Sequence, residues 1–574
     1  MRCFSVLFFL TAIVSSAKGD ALSVGPFGIN SEGLGLNGSG VAIGQIENGR
    51  PGKPLKDNSN YVHEQTVPTQ VYAGTAIDSA NSSFVQGENG LHATQVAGVM
   101  IASAMPVSGV RGVAPAANLH AAAFLMNNDD AFAVAANRLA GISNLYAINI
   151  SGGRTPQLFV EFTDGNTHIT QFVDWSSSRH DVLYVVSGAQ EGALVGLPQD
   201  NFNGITVAAS DRFQGAGETW RQEASFNVGF LFDAVGDRTS TDLLAPGVSN
   251  FLTSPGDLEE FSLGTSFAAP HVTGAAALLH QYANTKIAAS LPRWGNEAHF
   301  HEVTKAILLN SADKLNGVHG SERDVVNELG HTWLATLAYS DDETSLDQRL
   351  GAGHLNVESA IANFESGEYD PGLVPPIGWD FGGIGAFGDV DYTFNQSVSG
   401  YVAITLAWDR RVELTDPDNS YSSGDLFFDY VELDEVLNDL NVYLLPANTA
   451  DLGMALTSSR TVDDNLEHIF YEVPAGNYKI KVLHSGGLND AQDYALAWWA
   501  GELSPPVTPG DFDEDGDVDG ADFLLWQRNT SVGSLTDWQA NYGTGVGPLT
   551  AATAVPEPCA AILGSRLAWL CAAS

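Results

Sequence analysis

Gly264-Thr265-Ser266-Phe267-Ala268-Ala269-Pro270-His271-Val272 opens the alanine-rich stretch TSFAAPHVTGAAALLHQYA, residues 265–283. Alanine and leucine favour helix, so the stretch reads as one, with Ser266 in its first turn. A serine there lies among unpaired N–H groups at the positive end of the helix dipole, which help stabilise an oxyanion formed beside it. Capping is the commoner use of a serine at a helix start, and the local pattern leaves both uses open.

The flanking chain predicts the fold. GVAIGQI (40–46), LYAINIS (145–151), VLYVVSG (182–188) and GITVAAS (204–210) are near-continuous apolar runs, as expected when helices cover both faces of a parallel sheet. HATQVAGVMIASA (92–104) reads as a helix between the first two. The class is α/β with an open parallel sheet, whose chemistry belongs at strand ends and the loops that follow. Beyond about 370, YVAITLAWD, DLNVYLL, HIFYEV, YKIKVL and YALAWWA are short strands separated by turn residues, which predicts an all-β sandwich over 370–502. Pro505-Pro506 and Pro509-Gly510 make a linker at 503–510, and a small unit follows at 511–545.

The string from Gly264 resembles the serine motif of the subtilisin-like serine peptidases, the subtilases of peptidase family S8. There Gly-Thr-Ser precedes a hydrophobic residue, Ala, a variable residue, Pro and His. The resemblance puts the nucleophile at Ser266. Leu91-His92-Ala93-Thr94-Gln95-Val96-Ala97-Gly98 is similar to the histidine motif, with His92 as general base. Gly40-Val41-Ala42-Ile43-Gly44-Gln45-Ile46-Glu47-Asn48-Gly49 resembles the strand ending in the acid, with Glu47 where the family usually has Asp. The three follow the family's chain order. Ile148-Asn149-Ile150-Ser151-Gly152-Gly153 is like the substrate-binding strand, which assigns Ser151, Gly152 and Gly153 to the substrate. Leu244-Ala245-Pro246-Gly247 and Gly351-Ala352-Gly353-His354-Leu355-Asn356 also match, and the likeness covers roughly 22–365.

What the resemblance implies is acyl transfer: His92 takes the proton of Ser266, which attacks a peptide carbonyl, while the carboxylate orients the imidazole. Two positions depart from the pattern. Glu47 is one methylene longer than Asp, so its carboxylate overshoots the imidazole unless the strand retracts or the side chain folds. Gln190, in Ser187-Gly188-Ala189-Gln190-Glu191-Gly192, stands at the oxyanion-hole position where the family usually has Asn. A glutamine still donates N–H, from a less fixed arm. With Ser266 and His92 both retained, the expectation is a secreted serine endopeptidase with a Glu-His-Ser triad. The alternative is a catalytically impaired subtilase-fold binding or scaffold protein at the cell surface. His120, His168 and His280 read as solvated or structural. About 20 residues separate the N-terminal signal from the first catalytic strand, too few for a folding pro-domain, so the domain is expected to fold unaided.

Val402 to Asp409, Leu437 to Tyr443 and Ala475 to Ile480 look like the jelly-roll domain behind the catalytic unit of some bacterial alkaline subtilases. The sharpest metal pattern is Asp511-Phe512-Asp513-Glu514-Asp515-Gly516-Asp517-Val518-Asp519-Gly520-Ala521-Asp522. Asp511, Asp513, Asp515, Asp519 and Asp522 occupy loop positions 1, 3, 5, 9 and 12, Gly516 position 6, and Asp517 offers its backbone carbonyl at position 7, a set suited to Ca²⁺. With the helix-like FLLWQRN behind it, the loop resembles a dockerin-type calcium module, which implies a cohesin-like partner. No cofactor is expected for the chemistry itself.

At 574 residues, and roughly 150 per domain, the chain has room for three or four folded units. Its 68 acidic and 25 basic residues leave a net charge of −43, which repels nucleic acid and excludes that class of partner. The three cysteines, Cys3, Cys559 and Cys571, sit at the chain ends, so no disulfide framework is expected. Residues 1–19, with Arg2 and the apolar run VLFFLTAIV, read as a secretory signal too short to span a bilayer. No other run reaches the ~18 apolar residues of a membrane span. Val555-Pro556-Glu557-Pro558 opens a tail, 554–574, that resembles the PEP-CTERM sorting signals of exported bacterial proteins. The expected location is outside the cell or on its surface.

Overall fold

The structure, a computed structural model, describes residues 28–47, 49, 51, 89–102, 111–123, 129–154, 156, 161–190, 196–215, 218–224, 227, 236, 238–248, 250–254, 258–321, 323–415, 431–487, 490–501, 510, 512, 518, 520–528 and 534–543. The signal and tail segments and five of the six loop aspartates, Asp511, Asp513, Asp515, Asp517 and Asp519, lie outside the described residues. The chain divides into two compact units, Met1–Leu503 and Ser504–Ser574.

The first unit is built on strands β1 (Ala42–Glu47), β2 (Asn118–Ala123), β3 (Leu145–Ile150), β4 (Leu183–Ser187) and β5 (Ile205–Gly215), with helices α1 (Asn89–Ile101), α2 (Asp129–Ala140), α3 (His168–His180), α4 (Thr265–Ala288), α5 (His301–Asn310) and α6 (Val357–Glu365). The strands run parallel in the order β2-β1-β3-β4-β5. Alternate strand residues feed two cores. Ile43, Ala147, Val185 and Val207 meet α1, α4 and α5 on one face. Ile46, Ile148 and Val186 meet α2 and α3 on the other. Burial on both faces is why these strands read as unbroken apolar runs.

The sheet is not wholly parallel. β5 continues into an antiparallel partner, β6 (Glu218–Glu223), beside which β10 (Asp324–Val326) lies, while β7 (Leu243–Pro246) pairs with β5 in parallel. A separate hairpin joins β8 (Asn250–Ser254) and β9 (Leu258–Ser262). The sequences DRFQG and ETWRQE are too polar for a covered parallel strand, so apolar runs do not reveal them.

The β-rich region that follows has two sheets. One contains β11 (Gly372–Leu373), β13 (Asp389–Gln396), β17 (Asp439–Pro446), β18 (Thr457–Ser459) and β20 (Gly476–Gly486). The other contains β12 (Ile377–Ile384), β14 (Gly400–Trp408), β19 (Leu466–Val473) and β21 (Gln492–Ala500). A two-strand ribbon joins β15 (Arg411–Thr415) and β16 (Val431–Val436). The sheets share a core containing Phe394, Ile404, Trp408, Val442, Ile480 and Trp498.

All nine residues of β14 are buried because its second face is also covered. Val402, Ile404 and Leu406 face the β core, whereas Tyr401 and Ala403 pack with Trp333, and Ala407 joins the core formed by Ile43, Ala147 and Val185. Polar contacts cross the same junction. Asp409 accepts from His301 Nε2 at 2.9 Å, Arg410 Nε lies 3.3 Å from the buried Asp174, and Asn363 donates to the Trp498 carbonyl at 3.2 Å.

In the second unit, helices α7 (Gly520–Arg528) and α8 (Leu535–Asn541) pair through Phe523 and Trp538, with ring centroids 4.9 Å apart. Asp522 is fully buried and its Oδ1 accepts the Phe512 N–H at 2.5 Å.

Candidate active site

β1 lies between β2 and β3, so the direction of the crossovers reverses there, and the carboxyl ends of β1 and β3 flank a crevice of the kind in which open α/β sheets bind ligands. Glu47 is the last residue of β1 and Ser151 follows the last of β3. Opposite them stand the first turns of α1, with His92, and of α4, with Ser266.

The Glu47 side chain is buried, and its Oε2 lies 3.2 Å from His92 Nδ1. The extra methylene therefore does not carry the carboxylate past the ring. Among the described residues the other oxygen, Oε1, has no partner. The imidazole is 40% exposed, so it faces both the acid and the crevice, and the ring of Phe267 leans on it at 5.5 Å. Desolvation disfavours the imidazolium, but the charge and hydrogen bond of Glu47 outweigh it and hold the pKa of His92 above 6.5.

Helix α4 is organised around a proline. Pro270, four residues after Ser266, has no N–H to give the Ser266 carbonyl. That carbonyl instead accepts from Ser151 Oγ at 2.7 Å, and Ser151 Oγ accepts from Asn149 Nδ2 at 2.8 Å. The end of β3 is thereby tied to the serine turn. Thr265 Oγ1 donates to the Gly188 carbonyl at 2.7 Å, tying the same turn to the segment that leads to Gln190. The hydroxyl of Ser266 lies 3.5 Å from the Ser151 carbonyl, and among the described residues it makes no hydrogen bond to His92. So loose a contact leaves the hydroxyl free to rotate.

Gly264, at the N-cap of α4, has φ of +148°. A Cβ there would lie 3.1 Å from Gln190 Oε1. The glutamine carboxamide thus sits beside the start of the serine helix, and a half-turn of its last torsion exchanges Oε1 for Nε2. The N–H of Ser266 belongs to the helix's first turn and has no intrahelical acceptor. Gly153 backs onto the Leu197 carbonyl, and the backbone of Arg154 pairs with Leu197 in both directions, at 3.0 and 2.9 Å. Contacts thus join Glu47 to His92, Ser151 to Ser266 and Gln190 to the start of the serine helix, at the carboxyl ends of β1 and β3. Sequence reasoning missed the linking parts played by Asn149, Pro270 and Phe267; the proline four residues after the serine was the available signal.

Residues 38–353 match the subtilase family profile, and the chain belongs to that family of serine peptidases. It is similar to subtilisin BL of Lederbergia lenta, with 30% identity over 266 residues, 46% of this chain and 81% of the relative. It is also similar to thermitase of Thermoactinomyces vulgaris, with 29% identity over 238 residues, 41% and 72% of the two chains. A cold adapted subtilisin-like serine proteinase of known structure shares 18% identity, covering 51% of this chain and 89% of its own, with a TM-score of 0.34. No helix among the described residues is long and apolar enough to cross a membrane.

Proposed function

We propose that the protein is an active serine endopeptidase using Glu47, His92 and Ser266. The observation that carries this reading is the 3.2 Å contact between Glu47 Oε2 and His92 Nδ1, which supports the longer acid as the partner of the ring. With its proton on Nδ1 and donated to Glu47, the imidazole presents a bare Nε2 to the crevice. Substrate backbone pairs along Ser151, Gly152 and Gly153. Ser266 Oγ turns from the Ser151 carbonyl, passes its proton to Nε2 and forms a bond to the peptide carbonyl carbon. The oxyanion is met by the Ser266 N–H and by Gln190 Nε2. The imidazolium then gives its proton to the departing amine, and water, activated by the same nitrogen, releases the acyl group.

The reading extends to the rest of the chain. Residues 1–19 direct export and 554–574 serve surface sorting. The β-rich region is a jelly-roll that supports the peptidase. The aspartates at 511, 513, 515, 517, 519 and 522 bind Ca²⁺ in a dockerin-type loop that docks to a cohesin-like protein. The burial of Asp522 against the loop's own Phe512 N–H supports a turned-in final ligand.

A serine-reactive fluorophosphonate tests the chemistry. The full mature chain is expected to become labelled and the Ser266→Ala variant to remain unlabelled. A folded wild-type protein that resists labelling overturns the reading and leaves a binding or scaffold role.

A further inference from the structure

Gln45 is fully buried on β1, on the face that also carries Ile43 of the core. A carboxamide there is costly, and its Oε1 has no partner among the described residues. Its Nε2 donates to the carbonyl of Ala93 at 2.9 Å. Alternate strand residues share a face, so Gln45 and Glu47 project together towards α1. There they grip consecutive residues: Glu47 holds the ring of His92, and Gln45 holds the backbone one residue on.

We propose that Gln45 is a positioning residue of the catalytic site: its carboxamide fixes the distance between β1 and the first turn of α1 at the value a glutamate, rather than an aspartate, can span to His92. The inference rests on the reading of Glu47, His92 and Ser266 as the triad. The arrangement follows from reach. A strand and a helix meeting through aliphatic side chains settle wherever those side chains pack, whereas the Gln45 bond sets one separation directionally. At that separation the glutamate carboxylate makes its contact with Nδ1 without the helix moving.

The test is Gln45→Met, which keeps the length of the side chain and removes the donor, alongside Gln45→Leu, which removes the donor with a shorter, branched apolar side chain. Both are made in the full mature chain and compared with wild type for thermal midpoint, fluorophosphonate labelling rate, and kcat and KM on a peptide amide across pH 5–9. Positioning predicts a fall in kcat and in labelling rate of about 10-fold, with KM unchanged. It also predicts an acidic limb of kcat/KM moved downward, because His92 loses part of its hold on Glu47. A merely structural role moves the thermal midpoint and leaves the acidic limb where it was. If Gln45→Met fails to fold, Gln45→Leu carries the same readouts. Should both prove unstable, the titration of His92 by NMR in Ser266→Ala with Gln45→Asn, whose shorter arm cannot reach Ala93, reports the same coupling. An unmoved His92 titration or an unmoved limb with kcat within twofold of wild type overturns the inference. Absence of labelling in the wild type instead overturns the triad reading, so the two failures are distinguishable.

Discussion

Replacing Glu47 with aspartate, the residue usual in the family, is expected to impair this protein. The substitution withdraws the carboxylate by one carbon–carbon bond, about 1.5 Å. The present contact with His92 Nδ1 is 3.2 Å. If backbone positions hold, the gap opens to nearly 5 Å, too far for a hydrogen bond. What is lost is a charge-assisted bond worth about 1.5–3 kcal/mol, whereas the negative charge itself stays nearby. Because in the proposed mechanism that bond steadies the imidazolium formed during acylation, kcat/KM is expected to fall about 10- to 100-fold. Complete removal of a triad acid costs on the order of 10⁴, so Glu47→Ala should be far worse. The pH profile supplies a second readout. His92 is held above 6.5 because the charge and hydrogen bond of Glu47 outweigh desolvation. Weakening them lets desolvation pull the acidic limb to lower pH. Rates on a peptide anilide and with a fluorophosphonate, measured from pH 5 to 9, check both effects. Equal or faster turnover by Glu47→Asp, with the limb unmoved, refutes the reasoning and means that α1 simply closes onto the shorter acid.

Two further outcomes concern the junction and the aspartate loop. Lys314 is buried between Trp333 and Phe470, and desolvation, against the opposing pull of Asp313, lowers its pKa to about 7. Between that value and 10.5 the unfolded chain holds a proton that the folded chain does not, so this group's penalty is full below about pH 7 and disappears as pH rises towards 10.5. Lys314→Met should therefore stabilise the protein by about 2–4 kcal/mol near pH 6–7 and by little near pH 10, as followed by urea unfolding; equal gains at both pH values contradict the assignment. For the second unit, titration calorimetry of the full chain with Ca²⁺ should show one binding event that is lost in Asp522→Asn, and no heat at millimolar Ca²⁺ removes the metal from the proposal.

The parallel strands, the serine helix and the three ordered motifs were legible because they are local: apolar runs, an alanine-rich helix, and a short string around each of Glu47, His92 and Ser266. The β5–β6 hairpin was not, because a strand extending past the covered sheet into polar residues has no run to mark it. Nor was the joining of the peptidase and β-rich regions. YVAITLAW (401–408) reads as a strand, yet its sequence does not say that its odd-numbered residues leave the β core to pack with the peptidase.

The sequence by itself determined which side chains are present and in what order, including a carboxylate and an amide each one methylene longer than the family usually has at those positions. Whether a longer arm still meets its target depends on the spacing between strand and helix to within an ångström, and that spacing is set by contacts between residues far apart in the chain. Only the tertiary structure decided that Glu47 reaches His92 and that the Gln190 carboxamide lies beside Gly264.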